Sequence, residues 1–201
     1  MSRLIVSVYD RSGSWAAPYA RNGYQVLLWD KSFEGCILQW FGSLCERIRR
    51  FGLPLYGLLA APPCTYLCRA GARWRKIKDR LPSEYDGWTL LDIARAQVSI
   101  VLHLVELFSP HFWVLENPIG RVEKVVPEIK PFRRMEFDPC DYGDPYTKHT
   151  ILYGQFNTAL PQQPTLFALD YIHKLPPSLD RAAKRSVTPK GFASAFFAAN
   201  P

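Results

Sequence analysis

Hydrophobic positions along the chain fall into two rhythms that alternate through its first two-thirds. Short apolar runs at Leu4 to Tyr9, Gln25 to Trp29, Leu55 to Ala60 and Phe112 to Leu115 predict strands. Between them, Ala16 to Arg21, Phe33 to Arg50 and Trp88 to Phe108 carry helical spacing. This β-α-β-α order predicts an α/β fold: a Rossmann-like, mostly parallel sheet with helices on both faces. In such sheets ligands sit beyond the carboxyl ends of the strands, so chemistry is to be sought in the residues after each strand.

The texture changes after Lys130. Met135 to Phe137 and Thr150 to Tyr153 predict two more strands, and a polar, proline-bearing stretch follows from about 156 to 187. Thr188 as N-cap and Pro189 at the first helical position predict a closing helix whose buried face is Phe192, Ala195, Phe196 and Ala199. The run from Trp88 to Phe108 has almost membrane-spanning length, but Asp92, Arg95, Gln97, His103 and Glu106 interrupt it. It predicts a helix packed inside a soluble domain, with no membrane role.

With 201 residues, the chain has the length of one domain (1–201) and is ample for a core. Its 48% hydrophobic and 21% charged residues exclude a disordered or fibrous protein. The formal charge of +7 leaves an anionic partner open. Five cysteines are an odd number (Cys36, Cys45, Cys64, Cys68, Cys140), and the opening apolar run is too short for a signal peptide. A reduced, cytoplasmic protein is expected rather than a disulfide scaffold.

Four segments following the predicted strands carry candidate chemistry. Tyr9-Asp10-Arg11-Ser12-Gly13-Ser14-Trp15 is a small-residue turn leading into a helix, the kind that lets backbone approach a nucleotide-like ligand. Asp30 stands after the second strand, where a carboxylate can accept from ribose hydroxyls or simply cap a helix. In Ala60-Ala61-Pro62-Pro63-Cys64-Thr65-Tyr66-Leu67-Cys68, two prolines stiffen a loop and present a thiol at a strand end, a place for a nucleophile. Leu115-Glu116-Asn117-Pro118 puts a carboxylate at the end of an apolar strand, where it needs a partner or becomes a proton donor.

Pro62-Pro63-Cys64 and Leu115-Glu116-Asn117-Pro118 resemble the Pro-Cys and Glu-Asn signatures of the cytosine-C5 DNA methyltransferases, in the same order. The segment from Asp141 to Thr150 is similar to that family's Gln-x-Arg-x-Arg segment, Tyr9 to Gly23 to its first cofactor loop, and Arg185-Ser186-Val187 to its final Asn-Ser-Val. The resemblance spans nearly the whole chain and is nearest to the short stand-alone versions common in bacteriophage genomes. Gly71-Ala72-Arg73-Trp74 and Cys140-Asp141-Tyr142-Gly143-Asp144-Pro145 are further points of likeness.

The resemblance implies an S-adenosylmethionine-dependent methyltransferase in a bacterial or phage-infected cell, of the kind found in restriction-modification. Cys64 would be the thiolate that adds to carbon 6 of cytosine, and Glu116 the group that hydrogen-bonds ring nitrogen 3. Lys148 and Thr150 would stand where the family holds base and catalytic loop. Tyr9, Gly13, Trp15, Asp30, Pro62 and Ser186 would hold the cofactor.

The sequence departs from that pattern in four places. Arg11 and Ser14 replace glycines of the first loop. Tyr146, Lys148 and Thr150 replace Gln, Arg and Arg, and Arg185 stands where Asn is usual. The stretch after Gln155 is far too short for a target recognition domain, which implies little intrinsic sequence selectivity or a partner protein that supplies it. Single-stranded DNA, a free cytosine nucleotide such as dCMP, or a catalytically idle DNA-binding role are the alternatives.

The segment after Cys64 holds Arg69, Arg73, Arg75, Lys76, Lys78 and Arg80, with Trp74 interleaved and Asp79 as its only acid. Cations beside an aromatic ring fit phosphate contacts plus base stacking, whereas a charge run taken alone is a solvated loop. Arg47, Arg49 and Arg50 read as a solvated helix face. Cys36 and Cys45 read as core fillers, and His103 and His111 as structural. Without a second cysteine pair or a closely spaced histidine pair, no structural zinc is expected at Cys64 and Cys68.

Overall fold

The structure, a computed structural model, describes residues 2–30, 37–69, 75–83, 87–168, 176, 178 and 181–201. Cys36, Arg73 and Trp74 lie outside the described residues, as does the start of the helix expected from Phe33.

Six strands form one sheet: β1 (Leu4–Val8), β2 (Gln25–Trp29), β3 (Leu55–Ala60), β4 (Phe112–Pro118), β5 (Arg133–Phe137) and β6 (Thr150–Gln155), in the order β2-β1-β3-β4-β6-β5. The first four are mutually parallel, and β6 enters antiparallel to both β4 and β5. The longer helices are α2 (Ile37–Arg50), α4 (Leu90–Phe108) and α7 (Lys190–Ala199). Shorter ones are α1 (Ala17–Arg21), α3 (Arg75–Lys78), α5 (Val122–Val125) and α6 (Arg181–Ser186). The expected Rossmann-like α/β fold is what the chain adopts.

The central strands β1, β3 and β4 read as continuous apolar runs because both faces of the sheet are covered there. Leu4, Val6 and Val8 of β1, Leu58 and Ala60 of β3, and Trp113 and Leu115 of β4 pack with Trp40, Leu44 and Ile48 of α2 and with Val98, Val101 and Leu104 of α4. The alternate positions, Ile5, Leu59, Phe112 and Val114, pack with Tyr19 of α1 and Phe192 and Phe196 of α7. Side chains one residue apart therefore serve opposite cores.

Local chemistry sets the ends of α4. The Thr89 hydroxyl accepts from the Asp92 amide while the Asp92 carboxylate accepts from the Thr89 amide, a reciprocal cap. At the other end Ser109 takes a left-handed conformation (φ 44°) just before Pro110, so β4 can start at Phe112.

The structure shortens β1 by one residue, and lengthens β5 to start at Arg133 and β6 to end at Gln155. It corrects two further boundaries that bear on the candidate chemistry and the closing helix. β4 runs through Glu116 and Asn117 to Pro118, because Leu152 and Ile151 of β6 pair with those two residues. Glu116 is thus inside a strand rather than after one. Thr188 does not cap α7: it is buried, its carbonyl accepts from Ser14 Oγ at 2.8 Å, and Pro189 precedes the helix without a side-chain cap.

Aromatic rings dominate the α1/α7 core. Phe192 is fully buried, lies stacked on Phe137 at 4.1 Å between centroids, and meets Trp15 and Tyr142, each at 5.7 Å. Truncating such a side chain removes its transfer energy and leaves a cavity. Phe192→Ala is expected to cost about 3–5 kcal/mol in a denaturant-unfolding experiment. A loss under about 1 kcal/mol would mean the α7 side of the sheet contributes little to folding.

Candidate functional site

β1 is flanked by β2 on one side and β3 on the other, so the chain reverses its direction of travel across the sheet there. The crevice at such a switch point opens beyond the carboxyl ends of the strands. Residues 9–15, Asp30 and the loop from Ala61 to Cys68 all follow those ends.

Asp10 organises the first loop. It is buried, and its carboxylate accepts from Ser7 Oγ (3.1 Å), Ser12 Oγ (2.9 Å) and the Trp15 amide (3.2 Å). The Gly13 amide closes a turn onto the Asp10 carbonyl at 3.1 Å with φ +66°, a conformation glycine adopts without strain. Tyr9 and Trp15 send their rings away from this loop into the two cores. Tyr9 stacks on Trp40 at 5.0 Å and donates its hydroxyl to the Gln97 carbonyl at 3.1 Å. Burial first, and then the Asp30 charge, push its phenol well above the ordinary range. Trp15 is enclosed by Phe192 and Phe196. Asp30 is buried at the end of β2, while Arg11 is exposed. Ser186 is exposed on α6, and its hydroxyl donates to the Ala183 carbonyl at 2.8 Å.

Three features at these strand ends suit a nucleoside-type ligand: the Asp30 carboxylate, an acceptor for hydroxyls, at the end of β2, a close glycine turn at the end of β1, and buried Pro62 at the end of β3. Tyr9 and Trp15 shape that loop from beneath.

Cys64 opens the turn after β3. Its carbonyl accepts from the amides of Leu67 (2.9 Å) and Cys68 (2.8 Å), a single helical turn that brings the two thiols together. The Ala61 amide still bonds the Val8 carbonyl at 3.1 Å, and Asn117 Nδ2 donates to the Pro62 carbonyl at 3.4 Å. The loop is thereby tied to β1 and β4. Glu116 and Lys148 meet across β4 and the segment before β6, Nζ to Oε1 at 3.3 Å, with both side chains 14% exposed. The hydrogen bond with Cys68 and then burial push the Cys64 thiol well above its ordinary range; Lys148 pulls it down and Glu116 pushes it up. Cys64, Glu116 and Lys148 thus share one electrostatic environment, though they are 84 residues apart in sequence between the first and the last.

Lys148 is itself held in place. Its amide donates to Asp138 Oδ1 at 2.7 Å, and Thr150 Oγ1 donates to its carbonyl at 2.6 Å. Buried Thr150 therefore positions Lys148 from the first residue of β6.

Three groups with a part in this architecture carry little sequence signal: Asp10, Arg121 and His149. The Arg121 guanidinium donates to both carboxylate oxygens of Asp79, one at 2.6 Å, and through Nε to the Tyr66 carbonyl at 2.9 Å. This ion pair holds the carboxyl of Asp79 below its ordinary range and occupies the one acid of the basic segment. Of that segment, Arg69, Lys76 and Arg80 are exposed and Arg75 half-buried; Lys78 lies on α3. Arg47 and Arg49 lie over the rings of Trp29 (5.0 Å) and Phe108 (5.6 Å), so that helix face covers aromatics as well as meeting solvent.

His149 lies between Asp138 Oδ2 (3.2 Å) and Glu136 Oε2 (2.6 Å), and Glu136 also binds Arg133. Asp138, then Glu136, raise the His149 pKa above its ordinary value of about 6.5. Stability from this contact is full below about 6.5 and is lost as pH rises through the raised folded-state value. Glu136, held low by Arg133 and His149, sets the other limit: its contribution is present above the ordinary carboxylate range and fades in acid. His149→Gln is expected to flatten the melting temperature between pH 6 and 8. An unchanged slope in the variant would rule out this histidine as its source.

Among the described residues no group of three or more His, Cys, Asp and Glu gathers to hold a metal ion, and no helix is long and apolar enough to cross a membrane.

Fold and site together define an α/β protein whose candidate chemistry lies at the carboxyl end of a mostly parallel sheet. No family model matches the chain, and no curated protein matches it. Among solved structures the chain is similar to a protein assigned as a DNA modification methyltransferase encoded within a prophage (E. coli). The identity is 13% and the TM-score 0.46, over 83% of this chain and 52% of that one, so this chain spans about half the length of that protein.

Proposed function

We propose that the protein is an S-adenosylmethionine-dependent cytosine-C5 methyltransferase acting on DNA through a covalent Cys64 adduct. The observation that carries this reading is the convergence of Cys64, Glu116 and Lys148. Three residues in motifs resembling one family's signatures sit within mutual electrostatic reach, at the end of the sheet where ligands bind.

Carbon 5 of cytosine is a poor nucleophile. Addition of the Cys64 sulfur to carbon 6 makes it enamine-like, and Glu116 holds a proton at ring nitrogen 3, offsetting the negative charge that develops there. S-adenosylmethionine, when bound, supplies an electrophilic methyl group. Loss of the carbon-5 proton to water re-forms the ring double bond, and the Cys64–carbon bond breaks with its electron pair leaving on sulfur as the thiolate. Resting Cys64 is held as a thiol by Cys68 and by burial, and the ammonium of Lys148 is the group that favours the thiolate. Gly13, Asp30 and Pro62 would hold the cofactor, with Tyr9 and Trp15 supporting the loop. Ser186, on its exposed helix, would reach the methionine end.

The basic segment after the Cys64 turn supports a polynucleotide substrate. With Asp79 engaged by Arg121, the exposed charges of Arg69, Lys76 and Arg80 are uniformly positive. A duplex base would have to flip out to reach Cys64, at a cost of a few kcal/mol. The test is transfer of a labelled methyl group to duplex DNA, single-stranded DNA and dCMP in parallel. Label at cytosine carbon 5 of a polynucleotide is expected. Label on dCMP alone makes it a nucleotide-pool enzyme, and none on any substrate from folded protein overturns the reading.

A further inference from the structure

The loop that follows β4, residues 119–121, joins three segments distant in sequence. The Arg69 amide donates to the Ile119 carbonyl at 2.9 Å, the Arg121 amide to the Leu67 carbonyl at 2.8 Å, and the Ile119 amide to the His149 carbonyl at 3.1 Å. Gly120 lies so close beneath the Cys64 turn that a Cβ there would fall 2.0 Å from the Leu67 carbonyl oxygen. Arg121 then reaches over the turn. Its Nε donates to the Tyr66 carbonyl and its fork grips Asp79, with the two side chains only 13% and 25% exposed.

We propose that Arg121 is a positioning residue for Cys64: one guanidinium clamps the nucleophile turn at Tyr66 and the basic segment at Asp79 into a single rigid unit beside Glu116 and Lys148. The proposal rests on Cys64 being the reacting group of the reading above, but its geometry does not depend on which substrate is methylated.

The chemistry of the pair favours such a role. A fork-to-fork Arg–carboxylate contact fixes orientation as well as distance, which a lysine cannot do. The third donor, Nε, is aimed at a backbone carbonyl two residues past Cys64, inside the turn that Cys64 opens. Holding that turn closed keeps Cys64 against Cys68 and half-buried. It also means that any contact made by Arg69, Arg75, Lys76 or Arg80 bears mechanically on the nucleophile, because Asp79 lies within that segment.

The prediction has opposite signs for two reactions at one sulfur. With the clamp released, Cys64 becomes more accessible to a small alkylating agent and its thiol returns toward the ordinary value, while methyl transfer, which needs the sulfur placed, declines. The experiment measures iodoacetamide modification of Cys64 as a function of pH, by peptide mass spectrometry, in full-length wild type, Arg121→Ala and Asp79→Asn. Cys140 serves as the internal reference. In both variants Cys64 alkylation at pH 7.5 is expected to rise about tenfold, as a one-unit fall in pKa gives, with Cys140 changing by less than about twofold. Equal changes at both cysteines would mean general loosening and would overturn the proposal, as would an unchanged Cys64 profile in a folded variant. If Arg121→Ala does not fold, Asp79→Asn, which keeps the shape of the partner and removes its charge, decides alone. Alkylation is read without cofactor or DNA, so absence of methyl transfer by the wild type would count against the proposed function and leave this test standing.

Discussion

Cys64→Ala is expected to abolish methyl transfer to DNA, by at least about a thousandfold, with the fold intact. Losing the group that forms the covalent bond removes the whole nucleophilic route rather than one contact among several, hence a loss of that size. The stability change should stay within about 1 kcal/mol, because Cys64 is only partly enclosed and the turn is held by backbone hydrogen bonds that alanine keeps. The measurement is labelled methyl incorporation alongside thermal melting. Normal turnover by a folded Cys64→Ala protein would remove the covalent mechanism. Loss of turnover together with unfolding would make Cys64→Ser the variant to measure, since it keeps the size and removes the soft nucleophile.

Glu116→Gln is the second large effect. The substitution keeps the shape of the side chain and its place opposite Leu152 in the ladder, but removes the negative charge facing Lys148. A glutamine cannot hold a transferable proton at ring nitrogen 3, and losing such an acid–base group costs on the order of 10²–10⁴ in rate. The consequence at Cys64 runs the other way. Glu116 raises the thiol pKa and Lys148 lowers it, so a Lys148 freed of its partner favours the thiolate. Slower methyl transfer with faster alkylation of Cys64 in one protein is the expected signature. If both fall together, Glu116 acts by holding Lys148 in place, and the roles given to the two residues must be exchanged.

The central strands were legible because they are covered on both faces and so appear as uninterrupted apolar runs, and β3 has the bounds its run predicts; the edge strand β2, partly exposed, also keeps its predicted bounds. β4 was harder. Glu116, Asn117 and Pro118 look like the end of a strand, and only the antiparallel partner 32 residues further on, pairing Thr150 with Pro118, extends it. α6 carries no apolar stripe, so Arg181 to Ser186 merged with the polar stretch around it. The pair Cys64 and Glu116 could be found because each sits in a short motif directly after an apolar run. Arg121 and His149 could not: their partners Tyr66 and Asp138 are 55 and 11 residues away, and no local pattern encodes such meetings. Tyr9 and Trp15 show the opposite failure. The sequence locates the loop correctly, while the direction of each ring depends on which core has room for it.

The antiparallel entry of β6 has a consequence for how the chain is made. β4 leaves the ribosome with one edge covered by β3 and the other bare, and β5 emerges with no neighbour at all, since its ladder is with β6. Both wait until the chain has been synthesised to Gln155. Until then the Trp113-to-Leu115 edge is an apolar strand edge able to pair with another nascent chain. Closing it needs pairing between residues 38–42 apart, a non-local and therefore slow event. Aggregation during expression should thus depend on how quickly residues 150–155 arrive, and slowing translation just before Thr150 should lower the soluble yield more than slowing it after Gln155.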